Sequence, residues 1–331
     1  MSKNVYQIGS GELTFEIIER IINENLKLEL APEAKLRIQK CRDYLDHKIA
    51  SSEEPLYGIT TGFGSLCTKN ISPDELGTLQ ENLIKSHACS VGEEIRPVII
   101  KLMMLLKAHA LSLGHSGVQV ITVQRILDFF NNDVMPIVYD RGSLGASGDL
   151  APLANLFLPL IGVGDVYYKG KKCEAISVLD EFGWEPVKLM SKEGLALLNG
   201  TQFMSANGVF AMLKAFRLSK KADLIATLSL EAFDGRIDPV YGLHSANSPP
   251  SGTDRDRRGL PQTTGRQRTN RTPQGTCARS LFLPLHPTST WRHQRCHPLR
   301  CLRTADRNQF RHGQPPVSYT HLRAHETCAD L

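Results

Sequence analysis

Apolar residues recur at helical spacing through the first part of the chain, which predicts a mainly α-helical protein. One early helix is indicated by four apolar residues on a shared face, Ile18, Ile21, Ile22 and Leu26. Two further helices are predicted over 102–113 and 118–130, and a long one over 210–233. Strand patterns are few and short, as in 163–168, where a Lys-Gly-Lys turn follows.

The string Ser72-Pro73-Asp74-Glu75 predicts the start of another helix, with Ser72 as the cap and Glu75 completing a capping box. The helix that follows is expected to carry Leu76, Leu79, Leu83 and His87. In the long helix near residue 220, the expected core residues are Leu213, Phe216, Leu224 and Leu228.

Charge divides the chain into two parts. From Met1 to Ser245 there are 25 basic and 29 acidic residues, whereas from Ala246 to Leu331 there are 14 Arg, no Lys and 5 acidic residues. The net charge of +5 therefore arises in the C-terminal part and does not indicate a nucleic-acid-binding domain in the rest. The cysteines before Ser245 lack C-x-x-C spacing, which predicts free thiols in a reducing cytoplasm and no metal site. Residues 1–10 are polar and no apolar run reaches about 18 residues, so neither a signal peptide nor a membrane span is expected.

Two glycine-rich segments, 57–64 and 142–150, interrupt the helices and are candidates for loops that build a site. In the second, the amide nitrogen of Gly148 can attack the carbonyl carbon of Ala146, because glycine permits the tight turn and leaves the attack unhindered. Loss of one water closes a ring, and loss of the Ser147 hydroxyl as a second water leaves a methylidene group. The product is 4-methylidene-imidazol-5-one (MIO), an electrophile made without an external cofactor.

Ala-Ser-Gly is common by itself, so the surrounding sequence decides what it means. No Gly-Lys-Ser/Thr follows, as a phosphate loop requires, and the string does not fit the Gly-x-Ser-x-Gly elbow of hydrolases. Residues 142–154, G-S-L-G-A-S-G-D-L-A-P-L-A, resemble the signature of the aromatic amino acid ammonia-lyase family nearly end to end. The resemblance implies an aspartase/fumarase-like helical fold and a MIO cofactor formed from Ala146, Ser147 and Gly148.

Three further segments resemble the same family, in the same order. The first glycine-rich segment resembles its tyrosine loop, which implies that Tyr57 is the base that removes the substrate β-proton. Residues 82–92, N-L-I-K-S-H-A-C-S-V-G, resemble the substrate-selecting helix of histidine-using members, which implies that His87 binds the substrate imidazole. Residues 193–202, E-G-L-A-L-L-N-G-T-Q, resemble a motif whose asparagine orients the carbonyl oxygen of the electrophile, a role that falls to Asn199.

The resemblance implies elimination of ammonia from L-histidine to give trans-urocanate, by a cytoplasmic homotetramer that needs no nucleic acid and no membrane. The histidine amine adds to the methylidene carbon, Tyr57 takes the β-proton, and urocanate and ammonia leave. A phenylalanine or tyrosine ammonia-lyase, or an aminomutase, is the nearest alternative. Two other hypotheses stay open: a non-catalytic helical binding protein, and a nucleic-acid-binding tail, which requires residues 246–331 to be authentic.

The C-terminal part matches no family pattern as written. Shifted by one base, the codons of 248–258, 277–298 and 306–315 can each spell a string that resembles a family segment, in family order and with the same offset. Three concordant strings are not a coincidence of codon degeneracy. We therefore expect one base to be lost or gained within codons 238–246.

This frame change predicts how the chain is organised. An ammonia-lyase domain is expected over 1–200, the start of a central long-helix bundle over 201–240, and an out-of-frame, disordered segment over 241–331. Residues 317–327 resemble a translated sequencing adapter. Because the family's second tyrosine and its carboxylate-binding arginine would be lost, the polypeptide with this sequence is expected to be inactive.

Overall fold

A computed structural model gives the structure of the chain and describes residues 4–51, 59–61, 71–72, 75–144 and 148–235. The helices of this part are α1 (Phe15–Asn23), α2 (Pro32–Ser51), α3 (Leu76–His87), α4 (Pro97–Ser112), α5 (Val120–Asn131), α6 (Leu150–Phe157), α7 (Ala175–Phe182), α8 (Glu193–Leu198) and α9 (Gln202–Ala232). The strands are β1 (Val5–Ile8), β2 (Lys27–Leu30), β3 (Val91–Glu94), β4 (Met135–Pro136), β5 (Tyr139–Arg141), β6 (Asp165–Tyr168) and β7 (Lys171–Glu174). The prediction of a mainly α-helical protein is confirmed.

The chain divides into two units, and the boundary falls within α9. The first unit contains the described residues up to Phe210, and the second begins at Ala211. The predicted out-of-frame segment, 241–331, lies outside the described residues. Within the described part, no helix is long and apolar enough to cross a membrane.

The strands form three small sheets beside the helices. β1 and β2 pair in parallel across α1, β3 pairs with β5, and β6 lies antiparallel between β4 and β7. The predicted turn after Tyr168 joins β6 to β7. Its two central residues, Lys169 and Gly170, have φ values of 49° and 74°, the left-handed conformations that suit a two-residue hairpin.

Helices α4 and α5 supply much of the core of the first unit. The break predicted at Gly114–Gly117 separates them as expected, although α4 begins earlier, with Pro97 at its first turn. Leu105 and Leu127, one on each helix, are fully buried. In α1, Ile18 and Ile21 are buried as predicted, and the Thr14 side chain caps the helix by accepting from the Ile17 amide.

The α-helical part of α3 begins later than the predicted cap at Ser72, and residues 73 and 74 lie outside the described residues. The helix begins at Leu76, and the Ser72 hydroxyl donates to a carboxylate oxygen of Glu75 at 2.8 Å instead of capping a backbone amide. The two side chains of the predicted capping box thus bond to each other. The buried face of α3 consists of Leu76, Gln80 and Ile84.

The predicted core positions of the long helix are partly wrong. α9 begins at Gln202, and Leu213 is buried, but Leu224 is 51% exposed and Leu228 is 55% exposed. Ile225 and Leu218 are also exposed. Leu224 and Leu228 lie on the same face of the helix as Leu213, so helical spacing alone did not show where along this face the burial ends.

Candidate active site

Helices α3 and α8 approach each other closely enough to exclude a side chain between them. A Cβ atom on Gly194 of α8 would lie 2.5 Å from the carbonyl oxygen of Gln80 on α3. The Gln80 side-chain oxygen accepts a hydrogen bond from the Leu195 amide at 3.2 Å. Both helices also contact α6. The three helices thus form one packed group around the predicted site residues.

A buried carboxylate fixes the N-terminal end of α8. Glu193 is fully buried and accepts hydrogen bonds from the Gln119 amide at 2.8 Å and the Thr122 hydroxyl at 2.6 Å. It also accepts from the Gln119 side chain at 2.6 Å and the Met190 amide at 2.8 Å. Satisfying a buried carboxylate in this way ties α8 to the loop before α5.

The third residue of the predicted electrophile lies against the turn that follows α8. Gly148 has φ +96°, and a Cβ atom there would lie 2.5 Å from the carbonyl oxygen of Gly200. The next amide, that of Asp149, donates to the same oxygen at 2.8 Å. Only glycine fits at position 148, because a side chain would meet both an unfavourable backbone conformation and the Gly200 backbone. The contacts at position 148 therefore agree with the requirement of ring closure for glycine.

Asp149 connects this loop to the start of α9. Its carboxylate accepts a hydrogen bond from the Met204 amide at 2.9 Å and a further one from the Phe203 amide. These are first-turn amides, which lack partners inside the helix. Burial raises the pKa of the Asp149 carboxyl above its usual range, and the hydrogen bonds from Met204, Phe203 and Ser143 partly offset the shift.

Asn199 immediately follows α8 and is half-buried. Within the described residues, its side-chain oxygen is buried and has no hydrogen-bond partner. Its backbone carbonyl oxygen accepts from the Nζ atom of Lys107 on α4, at 3.1 Å. Lys107 is 2% exposed, and burial lowers the pKa of its ammonium group from 10.5 to about 7.

His87 is the last residue of α3 and is half-buried. Its Nδ1 atom lies 2.8 Å from the carbonyl oxygen of Leu83 and 3.2 Å from the hydroxyl of Ser86. A carbonyl oxygen only accepts, so Nδ1 carries the hydrogen, and in the neutral ring Nε2 is the acceptor. Two residues further along, Cys89 has an exposed free thiol, and its amide donates to the His87 carbonyl at 2.8 Å.

The structure brings together some of the predicted site residues. Gly148 and Asn199 lie on adjoining loops, and His87 ends a helix that packs against both α6 and α8. Tyr57, Ala146 and Ser147 lie outside the described residues. Within the described part, no group of His, Cys, Asp and Glu is arranged to hold a metal ion.

Sequence reasoning missed the buried polar residues that support the loops. Lys107, Asp149 and Glu193 were not singled out, yet Lys107 bonds to Asn199, Asp149 bonds to the start of α9, and Glu193 fixes the helix that Asn199 follows. One signal was available for Lys107, since it is a charged residue inside an apolar helix. Such a residue is buried only at a considerable cost in free energy, which commonly marks a functional role.

Comparison with known proteins places these features in context. Residues 13–255 match the family described as aromatic amino acid lyase. The chain is 41% identical to histidine ammonia-lyase of Clostridium tetani over 238 residues, which make up 71% of this chain and 46% of that protein. The chain spans about half the length of the curated relatives it matches.

Two solved structures resemble the fold closely. Histidine ammonia-lyase of Trypanosoma cruzi matches with a TM-score of 0.71 and 34% identity, over 78% of this chain and 50% of that one. Tyrosine aminomutase of Streptomyces globisporus matches with a TM-score of 0.71 and 31% identity, over 77% of this chain and 48% of that one.

Proposed function

Because the chain belongs to the aromatic amino acid lyase family, we propose that it is the N-terminal part of an ammonia-lyase that converts L-histidine to trans-urocanate. The observation that carries the proposal is the environment of Gly148, whose positive φ and contact with the Gly200 backbone admit no side chain. This glycine ends the Ala-Ser-Gly sequence that is able to cyclise.

The cofactor of the proposed enzyme is MIO, formed from Ala146, Ser147 and Gly148. The residues of the described part fit such a group, because Gly148 is packed tightly against the Asn199–Gly200 turn and the side-chain amide of Asn199 on that turn carries N–H donors. MIO supplies an electrophile for the substrate amine, which makes ammonia a better leaving group.

Two residues of the chain are proposed to assist the elimination. Asn199 orients the ring through a hydrogen bond to its carbonyl oxygen, in the manner of an oxyanion donor. Tyr57 takes the β-proton of the substrate as the general base. Tyr57 comes from the segment resembling the tyrosine loop of the family, and its role rests on that resemblance.

His87 is proposed to select histidine as the substrate. With Nδ1 bonded to the Leu83 carbonyl, Nε2 of the neutral ring accepts a hydrogen bond from the N–H group of the substrate imidazole. A site that hydrogen-bonds a substrate group discriminates strongly against analogues that lack it. The match to histidine ammonia-lyases supports this choice over the other aromatic amino acids.

The complete enzyme is proposed to be a cytoplasmic homotetramer. We further propose that a one-base frame change within codons 238–246 separates an ammonia-lyase part, 1–240, from an out-of-frame part, 241–331. The family match, which ends at residue 255, supports a change close to these codons. Resequencing the source DNA across them tests this proposal, and an intact reading frame there would contradict it.

Urocanate formation tests the proposed function. A protein translated from the frame-restored gene is expected to convert L-histidine to urocanate, followed by the absorbance of the product, whereas the 331-residue chain is expected to be inactive. The Ser147→Ala variant is the control, because it lacks the hydroxyl whose loss creates the methylidene group. If the frame-restored protein forms no urocanate, the proposal is wrong.

Substitution of His87 separates the substrate hypotheses. In the frame-restored protein, His87→Phe is expected to lower kcat/KM for L-histidine by about 100-fold, because a hydrogen bond to the substrate ring is lost. Lys85→Ala is the matched control, since Lys85 is exposed on the same helix and bonds to the Glu81 side chain. A wild-type protein that prefers phenylalanine or tyrosine would favour a phenylalanine or tyrosine ammonia-lyase. A wild-type protein that returns a β-amino acid would favour an aminomutase.

A further inference from the structure

We propose that Lys107 is a positioning residue for ring closure, because its side-chain nitrogen holds the Asn199–Gly200 turn against Gly148. The inference rests on the proposed function, since it concerns how the electrophile forms. It adds a residue from α4, which is far in sequence from both loops of the site.

Lys107 contacts the turn on both sides of Gly200. Its Nζ atom donates to the Asn199 carbonyl oxygen at 3.1 Å and lies 3.5 Å from the side-chain oxygen of Gln202. That Gln202 side chain lies against Gly200, because a Cβ atom on Gly200 would be 2.2 Å from its Oε1 atom. One side chain therefore restrains the residues that flank Gly200.

Gly200 in turn confines the residue that must react. Its carbonyl oxygen accepts from the Asp149 amide at 2.8 Å and lies where a side chain of Gly148 would be. Displacement of the turn would release both contacts. The path from Lys107 to Gly148 thus consists of consecutive hydrogen bonds and a backbone contact, all within the first unit.

The requirements of the fold alone do not explain a lysine at this position. Lys107 is fully buried, and among the ion pairs of the described residues none includes it. Its Nζ atom lies between the C-cap carbonyl of α8, where the helix dipole favours a positive charge, and the first residue of α9, where the dipole disfavours one, so the two dipoles do not compensate for burial. Burial accordingly lowers the pKa of this ammonium group to about 7. A buried amine in such a place is costly, which points to a role in the chemistry of the adjoining loop.

The reaction that Lys107 assists needs no oxidant. The lone pair of the Gly148 nitrogen forms a bond to the Ala146 carbonyl carbon, whose oxygen leaves as water with the amide hydrogens of Gly148 and Ser147. The Ser147 hydroxyl then leaves as a second water with the hydrogen of its own Cα atom. Ring closure depends on holding the nitrogen close to the carbon that it attacks, which a fixed backbone provides.

The test is the mass of the peptide containing residues 146–148, followed over time in the full 331-residue chain. Because Lys107 and the described neighbours of Gly148 lie in the first unit, the wild-type chain is expected to be lighter by two waters. Lys107→Met keeps an apolar stem but donates no hydrogen bond. This variant is expected to lose the two waters about tenfold more slowly than wild type, or to lose them in a smaller fraction of the chains. Lys107→Arg restores a donor and is expected to cyclise faster than Lys107→Met.

Arg125→Met is the matched control. Arg125 is also buried and basic, but it donates to the Glu185 carbonyl and covers the Trp184 ring. Its loss is expected to lower the melting temperature without slowing cyclisation. A merely structural role for Lys107 predicts that both methionine variants behave alike.

The outcomes separate this inference from the proposed function. If the wild-type chain loses two waters and folded Lys107→Met loses them at the same rate, Lys107 is not a positioning residue. If circular dichroism shows that Lys107→Met does not fold, Lys107→Arg takes its place in the test. A folded Lys107→Arg chain that cyclises more slowly than wild type, although it keeps a donor, would equally overturn the inference. A wild-type chain that never loses water also contradicts the inference about Lys107. The proposed function is then still decided by urocanate formation in the frame-restored protein.

Discussion

Two parts of the first unit are stabilised in opposite ways. Around α8, polar groups such as Glu193 and Lys107 are buried and bond to backbone atoms of other segments. In the β6–β7 hairpin with α7, charged groups lie at the surface, where Lys169 pairs with Glu181 at 2.6 Å, and the packing comes from rings such as Phe182 and Trp184, stacked at 4.2 Å.

The difference shows what each kind of contact contributes. Aromatic and apolar packing stabilises the hairpin but tolerates small shifts, since it has no fixed direction. Buried hydrogen bonds to backbone atoms are directional and costly to leave unmade, so they fix loops in one position. A loop that must cyclise needs the second kind of support.

The largest effect is expected from Glu193→Ala. This change leaves the Gln119 and Met190 amides and the Thr122 hydroxyl without their acceptor, at ~1–3 kcal/mol each, so we expect a loss of about 4 kcal/mol in the free energy of unfolding. Urea denaturation followed by circular dichroism measures it. A loss below about 1 kcal/mol would show that the buried carboxylate does not secure α8.

Gly194→Ala is expected to have the next largest effect. The new Cβ atom would lie 2.5 Å from the Gln80 carbonyl oxygen, so α3 and α8 must move apart, at a cost of about 2 kcal/mol. Gly11→Ala is the control, because a Cβ atom there meets nothing within 4 Å. Equal urea midpoints for the two variants would contradict the close approach of the helices.

The pH dependence of stability tests the burial of Lys107. Its pKa is about 7 in the folded chain and ordinarily 10.5, so the unfolded chain binds this proton more tightly. The cost in stability of burying the charged ammonium group is complete below pH 7. It is relieved as the pH rises from about 7 towards 10, because the folded chain then loses this proton. We expect the free energy of unfolding of wild type, relative to Lys107→Met, to increase by roughly 1 kcal/mol per pH unit in that window. Urea denaturation of both proteins at several pH values measures the difference, and parallel curves would contradict the assignment.

The smallest effect is expected in the hairpin, from Glu181→Ala. The Lys169–Glu181 pair is exposed and screened by solvent, so its loss is expected to leave the melting temperature unchanged within error. Thermal denaturation checks this. A clear drop would mean that surface charge contributes to this region as buried polar groups do around α8.

Sequence reasoning succeeded where structure depends on neighbours along the chain. The break at Gly114–Gly117 and the turn at Lys169–Gly170 follow from local conformational preferences, and both are confirmed. The α-helical part of α3 begins later than the predicted cap at Ser72, whose side chain bonds to the Glu75 side chain instead of to a backbone amide.

Contacts between distant segments could not be predicted from the sequence. The parallel pairing of β1 with β2 and the bond from Lys107 to Asn199 depend on packing of the whole unit. For the site, motifs identified Gly148, Asn199 and His87, but not the residues that support them. The roles of these three residues and of Tyr57, Ala146 and Ser147 all stay predictions.

The exposed thiol of Cys89 offers a practical way to observe the end of α3. It follows His87 by two residues and is tied to it through the backbone, whereas Cys41 is buried in α2 and Cys173 is half-buried. Selective labelling requires replacement of Cys173 and of the five cysteines outside the described residues. A fluorophore attached at Cys89 would sit beside the residue proposed to select the substrate. Its emission would then report arrival of an amino acid optically, even in a polypeptide that performs no turnover.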